Sequence, residues 1–500
     1  MKFTYIIAAC LLITGSYGCS KQLDKEPIGQ LTEADQEDNP QIGTVTSFVT
    51  RSYQTLASTL NVLGGDPWQW SNGTVFRPDI ILQDIAAADM QKKWNPDGDQ
   101  AWMDEFSNFS FTADNAGFLG QWTFNYEGIA RINKAISYLT DDAFVAKVGL
   151  EQTLRNRMLG EVLFLRAYNY FELVNNWGDV PLILKPLTSF QDAYAVAKRT
   201  PATEIWAQIV KDLTEAKGLM PNAKYADNTE KWRVSKGAVI ALLAKVALFQ
   251  ERWNDVISLV GELETLTFYD LNANYFDNFR VTKEYADNEV IFSYNHTASA
   301  VPANGNGLSA ITGWGFIAPT SDFLNAFEAN DPRRLYTINT VEQVSYKFMG
   351  DTTAANKGNE QSPVNKVLIR WADVLLWKAE AYNEINNPGA AIALINKIRQ
   401  RARTTPMAKT TVAPPVGTLP DRNVATTDKV TIKNWIIQER RVELGFESQR
   451  FFDLRRWKLA KQVLTGLGRN FEDKHYLYPI PQGEIDRAGG SMAQNKDYDK

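Results

Sequence analysis

Arg370-Trp371-Ala372-Asp373-Val374-Leu375-Leu376 continues through Lys378-Ala379-Glu380-Ala381-Tyr382-Asn383-Glu384 to a turn at Asn387-Pro388-Gly389. From Val367 to Ile385 the apolar residues Leu368, Trp371, Leu375 and Tyr382 recur at helical spacing, which predicts a helix over that stretch. Asn387 is suited to cap a following helix and Pro388 to occupy its first position. The stripe Ala391, Leu394, Ile395, Ile398 and Ala402 predicts that second helix. So short a turn makes the two antiparallel neighbours.

The same design appears elsewhere. Between Ser235 and Glu264 one stripe is Ala238, Leu242, Val246 and Phe249, and the next is Trp253, Val256, Ile257, Val260 and Leu263. Leu154 to Val174 and Thr200 to Met220 form a third pair, and Trp122 to Leu139 a further helix. Helix pairs with small residues inside them resemble tetratricopeptide repeats. Their spacing is irregular, so the expected fold is mainly α: degenerate helix pairs as scaffold, with long insertions. The insertions are Leu60–Phe118, Thr265–Val364 and Arg403–Asp428, all rich in Gly, Pro, Asn, Asp and Thr. Loops of this length are usually functional or disordered. The Trp and Tyr content of the first two argues against disorder.

At the N-terminus, Met-Lys precedes an apolar run from Tyr5 to Ile13, then small residues and Cys19. That order is an export signal over residues 1–18, and its apolar run is too short to span a bilayer. Ending on cysteine predicts lipoprotein processing with acylation of Cys19; the alternative is a conventional signal and a chance cysteine. Cys10 and Cys19 are the chain's two cysteines, so the mature protein has no disulfide framework. A net charge of −5 argues against nucleic-acid binding.

Several motifs stand in a telling order. After the helix pair above come Ile395-Asn396-Lys397-Ile398-Arg399-Gln400-Arg401-Ala402 and Glu439-Arg440-Arg441-Val442-Glu443-Leu444. Arg450-Phe451-Phe452-Asp453-Leu454-Arg455-Arg456-Trp457 and Tyr478-Pro479-Ile480-Pro481-Gln482-Gly483-Glu484-Ile485 follow. Leu23-Asp24 and Pro27 after Cys19, the helix with Trp122, Tyr126, Ile129 and Asn133, and Phe327-Glu328 with Asp331-Pro332-Arg333 complete the set. Together they resemble the SusD/RagB family of outer-membrane nutrient-binding lipoproteins.

The resemblance implies one SusD-like domain over 19–500, its helical scaffold mainly 120–264 and 365–460 and its ligand-binding loops mainly 60–118 and 265–364. It implies a lipid-anchored protein on the outer face of the outer membrane. Such a protein captures oligosaccharides and delivers them to a SusC-like, TonB-dependent barrel transporter. It implies no enzyme activity. The alternative within the family is a RagB-like member whose aromatics line a peptide channel.

Glu439, Glu443 and Glu447 stand at i, i+4 and i+8, one helical stripe. Two carboxylates on one face would suit glycoside hydrolysis only across an open cleft. With Arg440, Arg441, Arg450 and Arg455 close in sequence, structural ion pairs are the expected role. Two histidines, His296 and His475, and no spare cysteine leave no zinc pattern. No resident cofactor is expected. Asp277, Asn278, Asp287 and Glu289 read as a solvated loop, with a structural calcium site as the alternative.

Loop tryptophans are the strongest functional signal. A sugar's C–H face stacks on an indole, while its hydroxyls need polar partners. The candidates are Trp68, Trp70, Trp94, Trp102 and Trp314. Trp94 lies in the polar turn Lys92–Gly98, and Trp314 between Gly313 and Gly315, where a ligand can approach the backbone. The family builds its glycan face from these two regions, so Trp94 and Trp314 lead, followed by Trp70 and Trp102. Trp122, Trp371, Trp435 and Trp457 sit on helical stripes and are expected in the core.

Overall fold

The computed structural model describes residues 40–57, 77–93, 100–224, 230–284, 288–294, 308, 316–340, 345–350, 364–408 and 410–498. In chain order these give α1 (Ile42–Gln54), β1 (Met90–Lys92), α2 (Trp102–Asn108), α3 (Ala116–Thr140), α4 (Gln152–Trp177) and α5 (Phe190–Val196). There follow α6 (Ala202–Leu219), α7 (Lys236–Phe249), α8 (Trp253–Thr265), β2 (Val290–Tyr294), β3 (Ile317–Pro319) and β4 (Lys366–Arg370). The C-terminal part adds α9 (Trp371–Glu384), α10 (Pro388–Thr404), α11 (Lys429–Glu443) and α12 (Arg450–Arg456).

The long helices stack in sequence order, as helix-pair repeats do. Helix α3 packs on α1 and α4, α4 on α6, α6 on α7, α7 on α8, α8 on α9, and α9 on α10 and α11. Several of their starts show local caps. The side chains of Ser235, Asn387 and Asp428 accept from Ala238 N (3.3 Å), Ala390 N (3.4 Å) and Thr431 N (2.8 Å). Helix α7 is buried from Gly237 to Leu248 and apolar there except for Lys245, which donates to Gln449 (2.9 Å), so it lies at the centre of the stack. Close approach is fixed by glycine where α3 meets its neighbours: a Cβ on Gly128 would lie 2.7 Å from Thr55 Oγ1.

Two strand pairs brace the stack, both antiparallel. Met90 faces Pro319 and Lys92 faces Ile317 across β1–β3. Val290 faces Arg370 and Tyr294 faces Lys366 across β2–β4. The second pair corrects the helix expected from Val367. Residues 366–370 are extended, and the helix begins at Trp371, whose N–H donates to Glu289 O (2.8 Å). A short buried apolar run has no periodicity that separates strand from helix.

Part of the first insertion is core. Ile80, Ile81, Leu82 and Ile85 are fully buried in helical turns before β1. Of the four tryptophans expected in the core, Trp122 and Trp371 are buried. Trp435 and Trp457 are half-buried at the scaffold's edge instead, Trp435 under the Arg422 guanidinium and Trp457 donating Nε1–H to Glu380 (2.6 Å).

Candidate functional site

Helix α11 and the turn after it are the keel on which the site is built. Glu439, Glu443 and Glu447 are buried and ion-paired, as expected, but their partners come from far along the chain. Glu443 receives Nη1–H groups of Arg370 (2.6 Å) and Arg333 (2.9 Å), and also pairs with Arg401. Glu439 pairs with Arg333 (2.6 Å) and Arg399 (3.2 Å), and Glu447 with Arg370 (2.8 Å) and Lys347 (2.7 Å). The nearby arginines are used elsewhere: Arg440 binds Asp373 and Asp453, and Arg441 binds Asp89 and Asp322.

Glu447 also leaves the expected helical stripe. The helix ends at Glu443, a Cβ on Gly445 would lie 2.5 Å from the Phe323 ring, and Phe446 and Ser448 take positive φ (66° and 60°). Glu289 is no solvated loop residue either: it is fully buried between Arg370 (2.9 Å) and Arg401 (2.5 Å). Asp277 pairs with Arg280, buried Asn278 donates to Tyr275 O, and Asp287 lies outside the described residues. Among the described residues no three His, Cys, Asp or Glu side chains group to hold a metal ion.

From this keel rise two loop bases. In the first, the Arg77 guanidinium donates to Leu56 O (3.2 Å) and Ala57 O (2.5 Å), joining the two flanks of residues 58–76. Arg77 also pairs with Asp79 (2.7 Å), and Asp79 pairs with Lys366. Lys366 faces Tyr294 in the β2–β4 ladder. Ala57 and Arg77, Tyr294, and Val364, the described residues that border positions 58–76, 295–307 and 351–363, therefore lie on or beside the chain segments of one charged cluster. In the second base, Lys93 N–H donates to Phe316 O (2.7 Å), so the chain enters residues 94–99 and leaves residues 309–315 at hydrogen-bonded neighbours. Arg441 ties this base to the keel through Asp89, whose carbonyl accepts from Thr320 N (3.1 Å).

Electrostatics differ sharply within a few residues. Burial alone would raise the Asp79 carboxyl, but Arg77 and Lys366 outweigh it and hold it down at about 2. Burial, and then the Asp89 carboxylate, push Asp84 up to about 8. A carboxyl raised in the fold binds an extra proton there between pH about 4 and 8. Its contribution is therefore complete in acid and is lost as pH rises through that window. Asp84→Asn, which keeps an acceptor for Ser448 N–H (3.1 Å), should remove this loss. Relative to wild type it should be more stable by about 2 kcal/mol or more at pH 8 than at pH 5, measured by urea unfolding. An equal difference at both pH values would show that Asp84 titrates normally.

Beside β2 and β4 lies a cavity of about 470 Å³, with Trp232, Tyr269 and Phe279 in its walls and Asn288, Asn365 and Glu284 among its polar groups. Val367 on β4 and Asn365 just before it face this cavity, while Lys366 and Leu368 face the Arg77–Asp79 cluster, as strand alternation requires. Sequence reasoning missed this cavity and the Arg77–Asp79–Lys366 cluster. No spacing marks residues that meet from nearly 300 positions apart.

Of the predicted site residues, Trp94, Trp314, Trp70, Trp68 and Cys19 lie outside the described residues. Trp102 opens α2, half-buried, edge-on to Phe106 at 6.2 Å, with its Nε1–H donated to Gln100 (2.8 Å).

Comparison with known proteins agrees with this architecture. A family model described as the SusD family matches residues 330–498, the keel and its flanks. A second, described as starch-binding associating with outer membrane, matches residues 75–248. The chain belongs to the SusD/RagB family. A SusD-like protein of Formosa agariphila is 26% identical over 99% of both chains. SusD-like structures share the fold. The surface glycan-binding protein A of Bacteroides fluxus is 24% identical with a TM-score of 0.71, covering 92% of this chain and 100% of its own. Its namesake from Bacteroides thetaiotaomicron, in complex with laminarihexaose, is 22% identical with a TM-score of 0.67 and covers 91% and 99%.

Proposed function

We propose that this SusD-like protein is a cell-surface lipoprotein that binds an oligosaccharide without cleaving it and passes it to a SusC-like, TonB-dependent barrel in the outer membrane. The β1–β3 ladder carries the reading. Its last hydrogen bond joins Lys93, which directly precedes Trp94, to Phe316, two residues after Trp314. The described residues nearest in sequence to two tryptophans chosen for their surroundings, 220 positions apart, thus meet at one sheet end. A paired indole platform there suits the apolar face of a sugar ring. The laminarihexaose complex of a SusD-like relative supports a glycan as the ligand. Buried ion-pairing of Glu439, Glu443 and Glu447 supports a binder over a glycosidase, since none offers a carboxylate to an open cleft.

Titration calorimetry against a panel of neutral oligosaccharides and peptides, with chromatography of the recovered ligand, tests this. Micromolar or tighter binding of an intact glycan is expected. Binding of peptides alone would favour the RagB-like alternative, and cleaved glycan would end the non-enzymatic reading.

Anchoring has its own test. The export signal that ends on Cys19 supports attachment through that acylated cysteine. Cys19→Ala should move the protein from the outer-membrane fraction to the soluble one with its melting temperature unchanged. Full membrane retention would contradict lipidation at Cys19.

A further inference from the structure

A pocket of about 560 Å³ opens where the end of α4, the start of α6, the end of α7 and α12 meet the C-terminal segment, and it shares no residue with the loop bases. Among the described residues, two guanidinium groups in its wall form no ion pair with a carboxylate. Arg455, 8% exposed, donates Nη2–H to the amide oxygen of Asn176 (2.9 Å) and Nη1–H to Tyr476 O (3.4 Å). Arg199 donates to the carbonyls of Asp179 (2.8 Å), Trp177 (3.4 Å) and Ala493 (3.2 Å) and to the Asn495 side chain (2.5 Å). Every one of these acceptors is neutral.

A third arginine in the wall, Arg456, is neutralised by Glu380 and Asp453, and Lys496 lies 4.0 Å from Asp497. Among the described residues the one acid in the lining, Asp179, accepts Ala202 N–H at Oδ1 (2.7 Å) and offsets part of the Arg199 charge, against four cationic side chains in the same wall. In a chain of net charge −5, this is a local excess of positive charge held partly out of water. Burial presses both guanidinium groups below their ordinary pKa, Arg455 to about 10, and outweighs the opposing pull of Asp179 on Arg199 and of Tyr478 and Glu172 on Arg455. Rings of Phe451, Phe452 and Tyr478, with centroids 4.6 to 5.5 Å from the Arg455 guanidinium, offset only part of that cost.

The remaining walls are aromatic and half-open: Trp206, Phe249 and Tyr476. The volume falls within the range of small-ligand pockets. An anion would complete the charge, and planar guanidinium forks favour a carboxylate. A ring carrying that carboxylate would place its C–H face on the indole. We infer that this pocket is a second ligand site, separate from Trp94 and Trp314, that takes a uronate: a pyranose ring bearing a carboxylate.

The test titrates the full-length protein with sodium glucuronate, methyl glucoside and sodium acetate at low ionic strength. Glucuronate should bind at least about tenfold more tightly than either probe that carries only half of its chemistry, and added salt should weaken it. Arg199→Gln should lose at least about tenfold in glucuronate affinity. Trp206→Ala keeps both arginines, so it should weaken glucuronate but leave acetate unchanged. Trp94→Ala and Trp314→Ala should leave glucuronate binding intact, whatever they do to neutral glycans. Equal affinity for the three probes, wild-type glucuronate affinity in Arg199→Gln and Trp206→Ala, or loss of it in Trp94→Ala, would overturn the assignment.

Discussion

Glu443→Ala should destabilise the protein by about 4 kcal/mol, the scale for removing one partner from a buried ion cluster. Its carboxylate is fully buried and shared by Arg333, Arg370 and Arg401. Alanine would leave three guanidinium groups in a dry interior with one fewer counter-charge. Arg370 would keep Glu447 and Glu289, Arg333 would keep Asp331 and Glu439, and Arg401 would keep Glu289. Arg401 therefore loses most. Glu443→Gln, which keeps the shape and an acceptor, should cost less in the same direction. Urea unfolding at pH 7 reads both, and a loss under 1 kcal/mol for Glu443→Ala would mean that the cluster is not the keel described here.

Acid should act on the same cluster. Burial would raise the Glu443 carboxyl, but Arg401, Arg370 and Arg333 outweigh it and hold it well below the ordinary carboxylate range. Glu380 is held down likewise, by Arg456 and Lys433 against its burial. Carboxyls depressed in the fold contribute stability that is complete above pH about 4.5 and lost as pH falls through their folded values. Unfolding of the scaffold is therefore expected in acid, well below pH 4. This runs opposite to Asp84, whose contribution is lost as pH rises.

Repeating local contacts were readable from the sequence; long-range polar ones were not. The pair from Ser235 to Glu264 appears as α7 and α8 because its apolar stripes directly record which faces are covered. Asn387 caps α10 as its neighbours Pro388 and Gly389 imply. The glutamates of α11 show the limit. Burial and ion-pairing followed from charges beside apolar residues, yet the partners stand 40 to 110 positions away. Residues 366–370 failed for another reason: both faces are covered, so the alternation that marks a strand is absent. Arg77, Asp79 and Lys366 were invisible because a charged residue in a polar stretch looks the same solvated or buried.

The platform claim carries the second large effect. Each indole that loses its sugar contact should cost on the order of 1–2 kcal/mol, so Trp94→Ala and Trp314→Ala should each weaken glycan binding about tenfold. Two walls of one platform should together approach a hundredfold when both are removed, if their losses add. Neither residue is part of a helical stripe, so stability should hardly change. Trp371→Ala is the contrast: its ring is buried in α9, and truncation should lower stability by about 3–5 kcal/mol. The deciding measurement is a calorimetric titration of wild type, both single variants and the double variant with the tightest neutral glycan, each beside a thermal melt. Stepwise loss of affinity at constant melting temperature is predicted. Unchanged affinity with a lowered melting temperature would contradict the platform and make these two rings plugs that hold the loops to the scaffold.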